Sequence, residues 1–559
     1  MSPETKANLP ENPKIKAKLV SALDKVFVDS EPAARPEDSM LSIFRNERGS
    51  FQAAYTLTRA PRGFVELEIV SPIKEWIRVR GVKHMPVRFA TYYDNTNNYL
   101  RTGPGLYPDL LCDVQPHLVR GYWRQWDTLW FDIVPDGNTP AGVHEIEIRM
   151  SWKGTLQEVV STKVEIIDAY LPEQKLIHTK WFHSDCLADY YRVEVFSEEY
   201  WRITENFMRS AVEGGINMIL MPVHTPPLDT REGGERTTVQ LVDVTLENGQ
   251  YKFGFEKLYR WVELCKKLGV KYYEVAHLYT QWGAKYAPKI MATVDGEYKR
   301  IFGWDTEATG EAYRTFLRAY IPALIAEFKK LGIDKQCYFH ISDEPEEAHL
   351  PYYLAAKEQI KDLLEGYPIM DALSSFELYQ DGVVEKPIPT NDHIEPFLAA
   401  DVKGLWTYYC CMQYKEVSNT FLSMPSARTR IIGVQLYKYN IEGFLQWGFN
   451  YYNSQYSDYH TNPYLFTDGD AFSPAGDCFQ VYPRTDGMPE DSIRKMVMEQ
   501  AMYDLRAFQM LESLAGREKV MELIEGDLSE KITFSSYPTS ANYLLNLRAR
   551  VNKEIKKYL

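Results

Sequence analysis

The feature that most constrains the fold is a unit of amphipathic helix, glycine and short apolar strand that occurs three times in series. In the first copy, apolar residues share one helical face between residues 200 and 211, and Gly214-Gly215 and INMILMP follow. The second copy runs to Gly269 and VKYYEVA, and the third to Gly332 and QCYFHIS. Three helix-strand units in a row predict a parallel sheet covered by helices.

The same alternation of predicted helices and strands extends over residues 171–510. With LIHTKWFHSD as the first strand, further strand candidates come at MDALSSF, GLWTYY and GFLQWGF. A segment of this length suits a (β/α)8 TIM-type barrel. A doubly wound open sheet is the alternative, but neither G-x-G-x-x-G after the first strand nor G-x-x-x-x-G-K-[ST] is present, so no nucleotide cradle is predicted.

The chain before the barrel has a different pattern. Residues 1–170 contain short β-branched or aromatic runs separated by turn residues: SFQAAYTLTRA, GFVELEIVS, WIRVRGV, VRFATYY, DTLWFDIV and HEIEIRM. This spacing predicts an antiparallel β-sandwich. Residues 511–559 have helical periodicity and predict a C-terminal helical extension. The fold class is therefore α/β with an all-β N-terminal domain.

Charge and composition exclude several partners. The net charge of -14 over 559 residues, without a basic cluster, argues against nucleic acid. The polar start, MSPETKANLP, and the lack of a long apolar run predict no membrane span and a cytoplasmic protein, although a chain trimmed of its export signal would look the same. Seven cysteines without C-x-x-C, and no H-E-x-x-H, predict neither a metal nor another cofactor.

Two adjacent acids, Asp343 and Glu344, end the alternating run QCYFHISDEP. Neighbours on a strand point to opposite faces, but that rule lapses where the strand ends. Pro345 should hold Glu344 in the extended region, so both acids can lean into one cavity. The plainer interpretation of the tripeptide is a solvated turn with a helix cap.

Adjacent acids suit one form of glycoside cleavage better than the usual one. Two carboxylates normally flank the scissile bond from different strands, which neighbours in sequence do not readily do. In the substrate-assisted route, Glu344 acts as general acid and then base, while Asp343 orients an acetamido group whose oxygen attacks the anomeric carbon. This division requires Glu344 to hold its proton near neutral pH and Asp343 to be ionised.

Aromatic and amide residues cluster near predicted strand ends, in WTYYCCMQY and LQWGFNYYNSQYSDYH. Flat rings stack on sugar C–H faces and amides bond hydroxyls, so these segments predict a sugar pocket, although core packing is the alternative for any single ring. Histidines near strand ends fit hydroxyl contacts or local hydrogen-bond networks. The candidate substrate-binding residues are His183, Asp185, His224, Trp406, Tyr409, Trp447, Asn450 and Tyr451.

Four segments together resemble glycoside hydrolase family 123: ISDEP, HTKWFHSDCLADYY, GFLQWGFNYYNS and SIRKMVMEQAMYDLRAFQML. The resemblance implies a β-sandwich followed by a (β/α)8 barrel and a β-N-acetylgalactosaminidase that retains configuration by the substrate-assisted route. It also implies Asp343 as the residue that stabilises the oxazolinium and Glu344 as acid and base. The segment QAMYDLRAF departs from the acid-Tyr-Asp sequence common in that family.

The leading hypothesis is an exo-acting enzyme that removes β-linked GalNAc from the non-reducing end of a glycan, with no cofactor. A second hypothesis keeps Glu344 as acid and uses a carboxylate nucleophile such as Glu377 or Glu442. A third is a noncatalytic glycan-binding protein. The sequence does not set the oligomeric state.

Overall fold

A computed structural model describes residues 10–35, 39–115, 118–345 and 347–559 of the chain. By contacts the chain forms two compact units. Unit 1 comprises residues 1–174, 418–438 and 490–559, and unit 2 comprises residues 175–417 and 439–489. The division into domains at 1–170, 171–510 and 511–559 stays a prediction. Contacts place residues 418–438 and 490–510, which fall within the predicted barrel segment, in unit 1.

Unit 1 contains two five-stranded sheets. The first has the spatial order Ile15–Ser21, Gly49–Leu57, Asp127–Ile133, Ile77–Val87 and Gly105–Asp113, with every pair antiparallel. The second has the order Met40–Phe44, Thr155–Ile167, Gly142–Trp152, Arg62–Val70 and Leu118–Tyr122. Its first pair is parallel, so the expectation of wholly antiparallel sheets was wrong.

The two sheets of unit 1 share one apolar core. Phe51 and Tyr55 from the first sheet and Val65, Ile146 and Ile148 from the second belong to the same buried cluster. Alternating side chains from both sheets therefore fill the space between them. The run VRFATYY is not a separate strand, because the strand Ile77–Val87 ends at its first residue.

Helices complete unit 1. They span Ser426–Arg430, Ile432–Lys438, Ile493–Ala515, Arg517–Glu525 and Ala541–Ile555. The predicted extension from residue 511 therefore begins inside a helix, at its last turn. Among the described residues, none of the helices has the length and apolar character needed to cross a membrane.

Among its described residues, unit 2 contains eight short parallel strands that are paired side by side in chain order. Six form one sheet: Ile177–Lys180, Met218–Met221, Tyr272–Val275, Cys337–Tyr338, Trp406–Tyr408 and Gly443–Gln446. Met370–Ala372 and Lys386–Ile388 form a parallel pair. Single parallel bridges, Phe339 to Ile369 and Thr390 to Tyr408, join this pair to both ends of the six-stranded sheet. The pairings close into a ring, since the first and last strands also pair.

Helices follow these strands, as the sequence pattern predicts. They span Ser184–Tyr191, Glu198–Glu213, Glu256–Leu268, Glu311–Leu331, Leu350–Ile360, Phe376–Gln380 and Glu395–Ala399. Gly269 and Gly332 end two of them with φ of 90° and 65°, the left-handed conformation that glycine adopts without a Cβ clash. Short strands then return the chain to the ring.

Two long loops of unit 2 contain further strands that the sequence did not predict. Asp243–Glu247 and Gln250–Gly254 form one hairpin, and Ile290–Val294 and Glu297–Phe302 form another. The hairpins join into a four-stranded sheet through a parallel pairing. Two more short strands, Val481–Pro483 and Pro489–Asp491, lie late in the chain.

Candidate active site

Asp343 and Glu344 follow the fourth strand of the ring, which is shorter than predicted and ends at Tyr338. Both acids are half-buried. The Tyr408 hydroxyl, on the seventh strand, donates to Oε1 of Glu344 at 2.6 Å. The charges of both acids also act on Tyr408, whose pKa is raised well above its usual value by burial and then by Glu344 and Asp343. Tyr408 therefore contacts Glu344 directly and is also within range of the charge of Asp343.

The backbone at Glu344 is left-handed, with φ of 46°. The expectation that Pro345 holds it extended was wrong. The segment is fixed from two sides, because the Trp282 N–H donates to the Asp343 carbonyl at 2.9 Å and Tyr408 holds the Glu344 carboxylate. A non-glycine residue with positive φ costs free energy, and such strain is concentrated at functional sites.

Asp343 has an acidic environment. Burial is the main cause that raises its pKa well above the usual value, and the nearby charge of Glu344 raises it further. Asp371 and Asp229 act in the same direction, whereas His340 opposes them. In the substrate-free protein these causes favour the protonated form of Asp343, although the sequence argument required it to be ionised.

Below these acids lies a buried ion network on neighbouring strands. His340 bonds Glu274 through Nε2 at 2.8 Å and Asp371 through Nδ1 at 3.1 Å. Burial alone would lower the pKa of His340, but the hydrogen bonds and charges of Asp371 and Glu274 raise it to about 10. His340 is consequently a cation at neutral pH, and Tyr353 donates to Asp371 at 2.6 Å.

The same network includes the one group of described residues that could hold a metal. Ligand atoms of His277, His340 and Asp371 lie within 4.8 Å of one another. However, a cationic imidazole donates through both nitrogens and has no lone pair for a metal. The geometry of this cluster is that of an ion network, and the absence of a metal cofactor stays a prediction.

A second network lies beyond the first strand. Arg236 makes a bidentate ion pair with Asp185, at 2.7 and 2.9 Å, and also donates to His183 Nδ1 at 3.1 Å. His183 Nε2 therefore carries the proton and donates to the Trp447 carbonyl at 2.8 Å. Burial and then the charge of Arg236 lower the pKa of His183 to about 3, so the ring is neutral. These contacts fix the backbone that carries the Trp447 ring.

Asp229 is an acid of the site that the sequence argument missed. It is half-buried, with φ of 40°, and its Oδ2 accepts from the Tyr451 hydroxyl at 2.5 Å and from the Tyr456 N–H at 3.2 Å. Burial raises the pKa of Asp229. Its position after the second strand, eight residues past Met221, could have indicated it, because the carboxyl ends of parallel strands meet at one edge.

The comparisons with known proteins agree with this geometry. The model of the glycoside hydrolase 123 catalytic domain matches residues 181–511, more than half of the chain. The chain belongs to glycoside hydrolase family 123. It is a glycoside hydrolase, and this membership does not support the alternative of a noncatalytic glycan-binding protein. No curated protein sequence matches the chain.

One solved structure is similar over the whole chain. It is a family 123 glycoside hydrolase from Clostridium perfringens, analysed for glycolipid glycan hydrolysis, with a TM-score of 0.74 at 12% identity and coverage of 98% of both chains. A family 39 glycoside hydrolase from Bacteroides cellulosilyticus has a TM-score of 0.32 at 12% identity, covering 78% of this chain and 80% of its own. The latter similarity is too low to support an argument. The former shows the mixed α/β fold.

The eight candidate substrate-binding residues of this family 123 chain differ in accessibility. Trp447 is half-buried, and its Nε1 donates to Asp477 at 2.9 Å. The other seven are buried: His183, Asp185, His224, Trp406, Tyr409, Asn450 and Tyr451. As direct sugar contacts they stay a prediction, and their present contacts are with other side chains and backbone.

Those contacts show what several of these residues do in the substrate-free protein. Asn450 bonds the His183 backbone through both amide atoms, at 2.9 and 3.0 Å. His224 Nε2 donates to the His277 carbonyl at 2.8 Å, which makes Nε2 its protonated nitrogen. Trp406 is 0% exposed in the core of the strand ring, and Tyr409 packs on Phe444 at 5.0 Å. Within this segment, Tyr408 bonds one of the two candidate acids, Glu344.

Proposed function

We propose that this family 123 enzyme is a retaining exo-β-N-acetylgalactosaminidase that acts by the substrate-assisted route. The observation that carries the proposal is the adjacency of two half-buried acids, Asp343 and Glu344, beyond the carboxyl end of a ring strand, with Tyr408 bonded to Glu344. Glu344 protonates the leaving oxygen and later activates water. Asp343 accepts the acetamide N–H and offsets the positive charge of the oxazolinium intermediate.

The protonation of Asp343 fits this route once substrate is included. Without substrate, burial and Glu344 favour the protonated form of Asp343. An acetamide N–H that bonds the carboxylate favours the ionised form instead. Substrate binding therefore shifts Asp343 towards the ionised form that the substrate-assisted route requires.

The alternative mechanism uses an enzyme carboxylate as the nucleophile, and the sequence suggested Glu377 or Glu442 for this role. Neither of them is well placed. Glu442 immediately precedes the strand Gly443–Gln446, so it lies at the opposite end of the parallel strands from Asp343, and it pairs with Lys386 at 3.0 Å. Glu377 is exposed on the helix Phe376–Gln380. Neither position supports attack on a sugar held by Glu344.

The substrate class draws support from the family. The Clostridium perfringens relative was analysed for glycolipid glycan hydrolysis. We propose that the substrate of this chain is a glycan with a terminal β-linked N-acetylhexosamine, and GalNAc is the first sugar to test. The ring of eight strands and the two packed sheets support the further proposal of a (β/α)8 barrel and a β-sandwich. A cytoplasmic location stays a prediction from the sequence.

The direct test compares Glu344→Gln and Asp343→Asn with the wild type on a chromogenic β-GalNAc substrate. Each change should lower kcat by about 10²- to 10⁴-fold, because each removes a group that acts in the transition state. Glu442→Gln is the matched control and should retain activity. A thiazoline mimic of the bicyclic intermediate should inhibit the wild type.

Two results would contradict the proposal. Unchanged turnover in both variants would remove the assigned roles. Equal hydrolysis of a β-galactoside that lacks the acetamido group, with a covalent glycosyl-enzyme trapped by a fluorosugar, would favour an enzyme nucleophile instead.

A further inference from the structure

Two aromatic residues, Trp282 and Tyr456, are joined by hydrogen bonds from their backbone N–H groups to Asp343 and Asp229 and have no part in the chemistry proposed above. Trp282 is 39% exposed and Tyr456 is half-buried. Their ring centroids are 5.8 Å apart, with the rings nearly perpendicular at 84°. A tryptophan normally buries most of its large apolar surface, so an exposed one beside an active site indicates a contact made with a ligand.

The position of Trp282 is tied directly to the catalytic segment. Its backbone N–H donates to the carbonyl of Asp343 at 2.9 Å, one residue from Glu344. Trp282 itself has φ of 57° and the following Gly283 has φ of 117°. A Cβ at Gly283 would lie 2.3 Å from Cβ of His349, so only glycine fits this close approach. The loop that presents the tryptophan is therefore held in one conformation.

Tyr456 is held from another side. The N–H of Arg231 donates to the Tyr456 carbonyl at 3.0 Å, and the Arg231 guanidinium lies 5.2 Å from the tyrosine ring centroid. Arg231 also forms an ion pair with Asp458 at 2.5 Å. Gln281 donates to the Thr230 carbonyl at 3.1 Å and so joins the loop of Trp282 to the loop of Arg231. Three loops thus present the two rings together with a charged pair.

We propose that Trp282 and Tyr456 form the binding subsite for the sugar ring on the leaving-group side of the scissile bond. This inference rests on the proposed function, in which Glu344 protonates the glycosidic oxygen. The leaving sugar begins at that oxygen, and Trp282 is bonded to the residue next to Glu344. An aromatic ring covers the C–H face of a pyranose, and Arg231 and Asp458 offer hydrogen bonds to its hydroxyls.

The experiment compares two substrates with the same terminal GalNAc. One is a disaccharide in which the GalNAc is β-linked to galactose, and the other is methyl β-GalNAc, whose leaving group is too small to cover the rings. Trp282→Ala should lower kcat/KM on the disaccharide about tenfold more than on the methyl glycoside, mainly through KM. Trp282→Phe, which keeps a ring, should retain most of the difference. Trp123→Ala, at a tryptophan that is 48% exposed in unit 1, is the control and should change neither substrate.

A second measurement separates binding from chemistry. In the Glu344→Gln background, calorimetry should show the disaccharide bound about tenfold more weakly when Trp282 is also replaced by Ala, with little change for GalNAc itself.

Equal losses on both substrates, or none on either, would overturn the subsite while leaving the proposed function in place. Preference of the wild type for an alkyl over a sugar leaving group, lost in Trp282→Ala, would assign the rings to a lipid and also overturn it. If the wild type cleaves neither substrate, the proposed function fails, and the subsite fails with it.

Discussion

Buried charge is organised differently in the two units. In unit 1, buried acids face guanidinium groups: Arg494 pairs with Asp109 at 2.9 Å, and Arg80 pairs with Asp132 and Asp491 at 2.6 Å. In the active site of unit 2, Asp343 faces other carboxylates. His340, whose charge opposes their effect on Asp343, is already bonded to Glu274 and Asp371. The first arrangement stabilises the fold, whereas the second leaves a carboxylate to act on a ligand.

The pKa directions express the same contrast. Burial raises the pKa of Asp491, but the charges of Lys495 and Arg80 outweigh burial and hold it far below its usual value. For Asp343, burial and Glu344 act together and raise the pKa. A perturbed carboxyl beside a like charge in a site is a mark of function, because it costs stability.

The largest expected effect is on catalysis. Asp343→Asn should reduce kcat on an N-acetylated substrate by about 10²- to 10⁴-fold, since the amide neither accepts the acetamide N–H as well nor offsets positive charge. It should not destabilise the protein, because it removes a charge from an acidic environment. A large loss of unfolding free energy in urea titrations would show instead that Asp343 is a structural acid like those of unit 1.

The same substitution in unit 1 should do the reverse. Asp109→Asn leaves the buried Arg494 without the carboxylate charge it bonds and should lower the free energy of unfolding by about 3 to 5 kcal/mol. The kcat of the folded fraction should be unchanged. Denaturant titration and an assay corrected for folded protein test both parts. A stable Asp109→Asn variant would mean that the two groups of acids do not differ as argued.

A smaller effect is expected within the site. Tyr408→Phe removes the hydroxyl that holds Glu344 and should lower kcat about 10- to 100-fold, as for a lost hydrogen bond to a charged group. Tyr409→Phe is the matched control, because the next ring along the strand packs on Phe444 instead. Steady-state kinetics distinguish them. Equal losses in the two variants would make Tyr408 a packing residue only.

That pair of tyrosines also shows how far the sequence could predict the site. Helix-glycine-strand repeats predicted the parallel strands, and the SDEP segment predicted the acids, because both are local signals. Tyr408 was missed, because the register of the three-residue strand Trp406–Tyr408 decides which side chains face the site, and a shift of one residue reverses that face. Glu344 was expected to be extended because Pro345 follows it. The contacts that fix its left-handed backbone come from Trp282 and Tyr408, which are distant in sequence and could not be predicted from the local segment.

Asp229 and the ion network were missed for a related reason. Asp229 lies in a loop without a motif, and its role depends on Tyr451 and Tyr456, more than 200 residues away. Likewise, Glu274 and Asp371 lie on two separate strands and His340 lies just after a third. Sequence spacing does not reveal a network assembled by the order of strands in a ring.

The smallest expected effect is a difference in pH dependence, and it tests the comparison most finely. The pKa of Asp343 is higher in the folded protein than in the unfolded chain, so its protonated form contributes to stability below the unfolded pKa. This contribution is lost as pH rises through the folded pKa. Asn mimics protonated Asp, so Asp343→Asn should match the wild type in acid and become more stable than it as pH rises. The gain should be about 0.5 to 2 kcal/mol at neutral pH.

Asp491→Asn should show the opposite behaviour. Its pKa is lowered in the folded state, so the contribution of the wild-type carboxylate is present above the unfolded pKa, near 4, and is lost only as pH falls below that value. This variant should therefore be less stable than the wild type throughout neutral pH, with the difference closing only in acid. Unfolding of the three proteins from about pH 2 to pH 8 measures both differences, because the convergence in acid lies below the unfolded pKa of aspartate. Parallel curves for the two variants would contradict the distinction between paired and site acids, because each wild-type group would then have the same proton linkage.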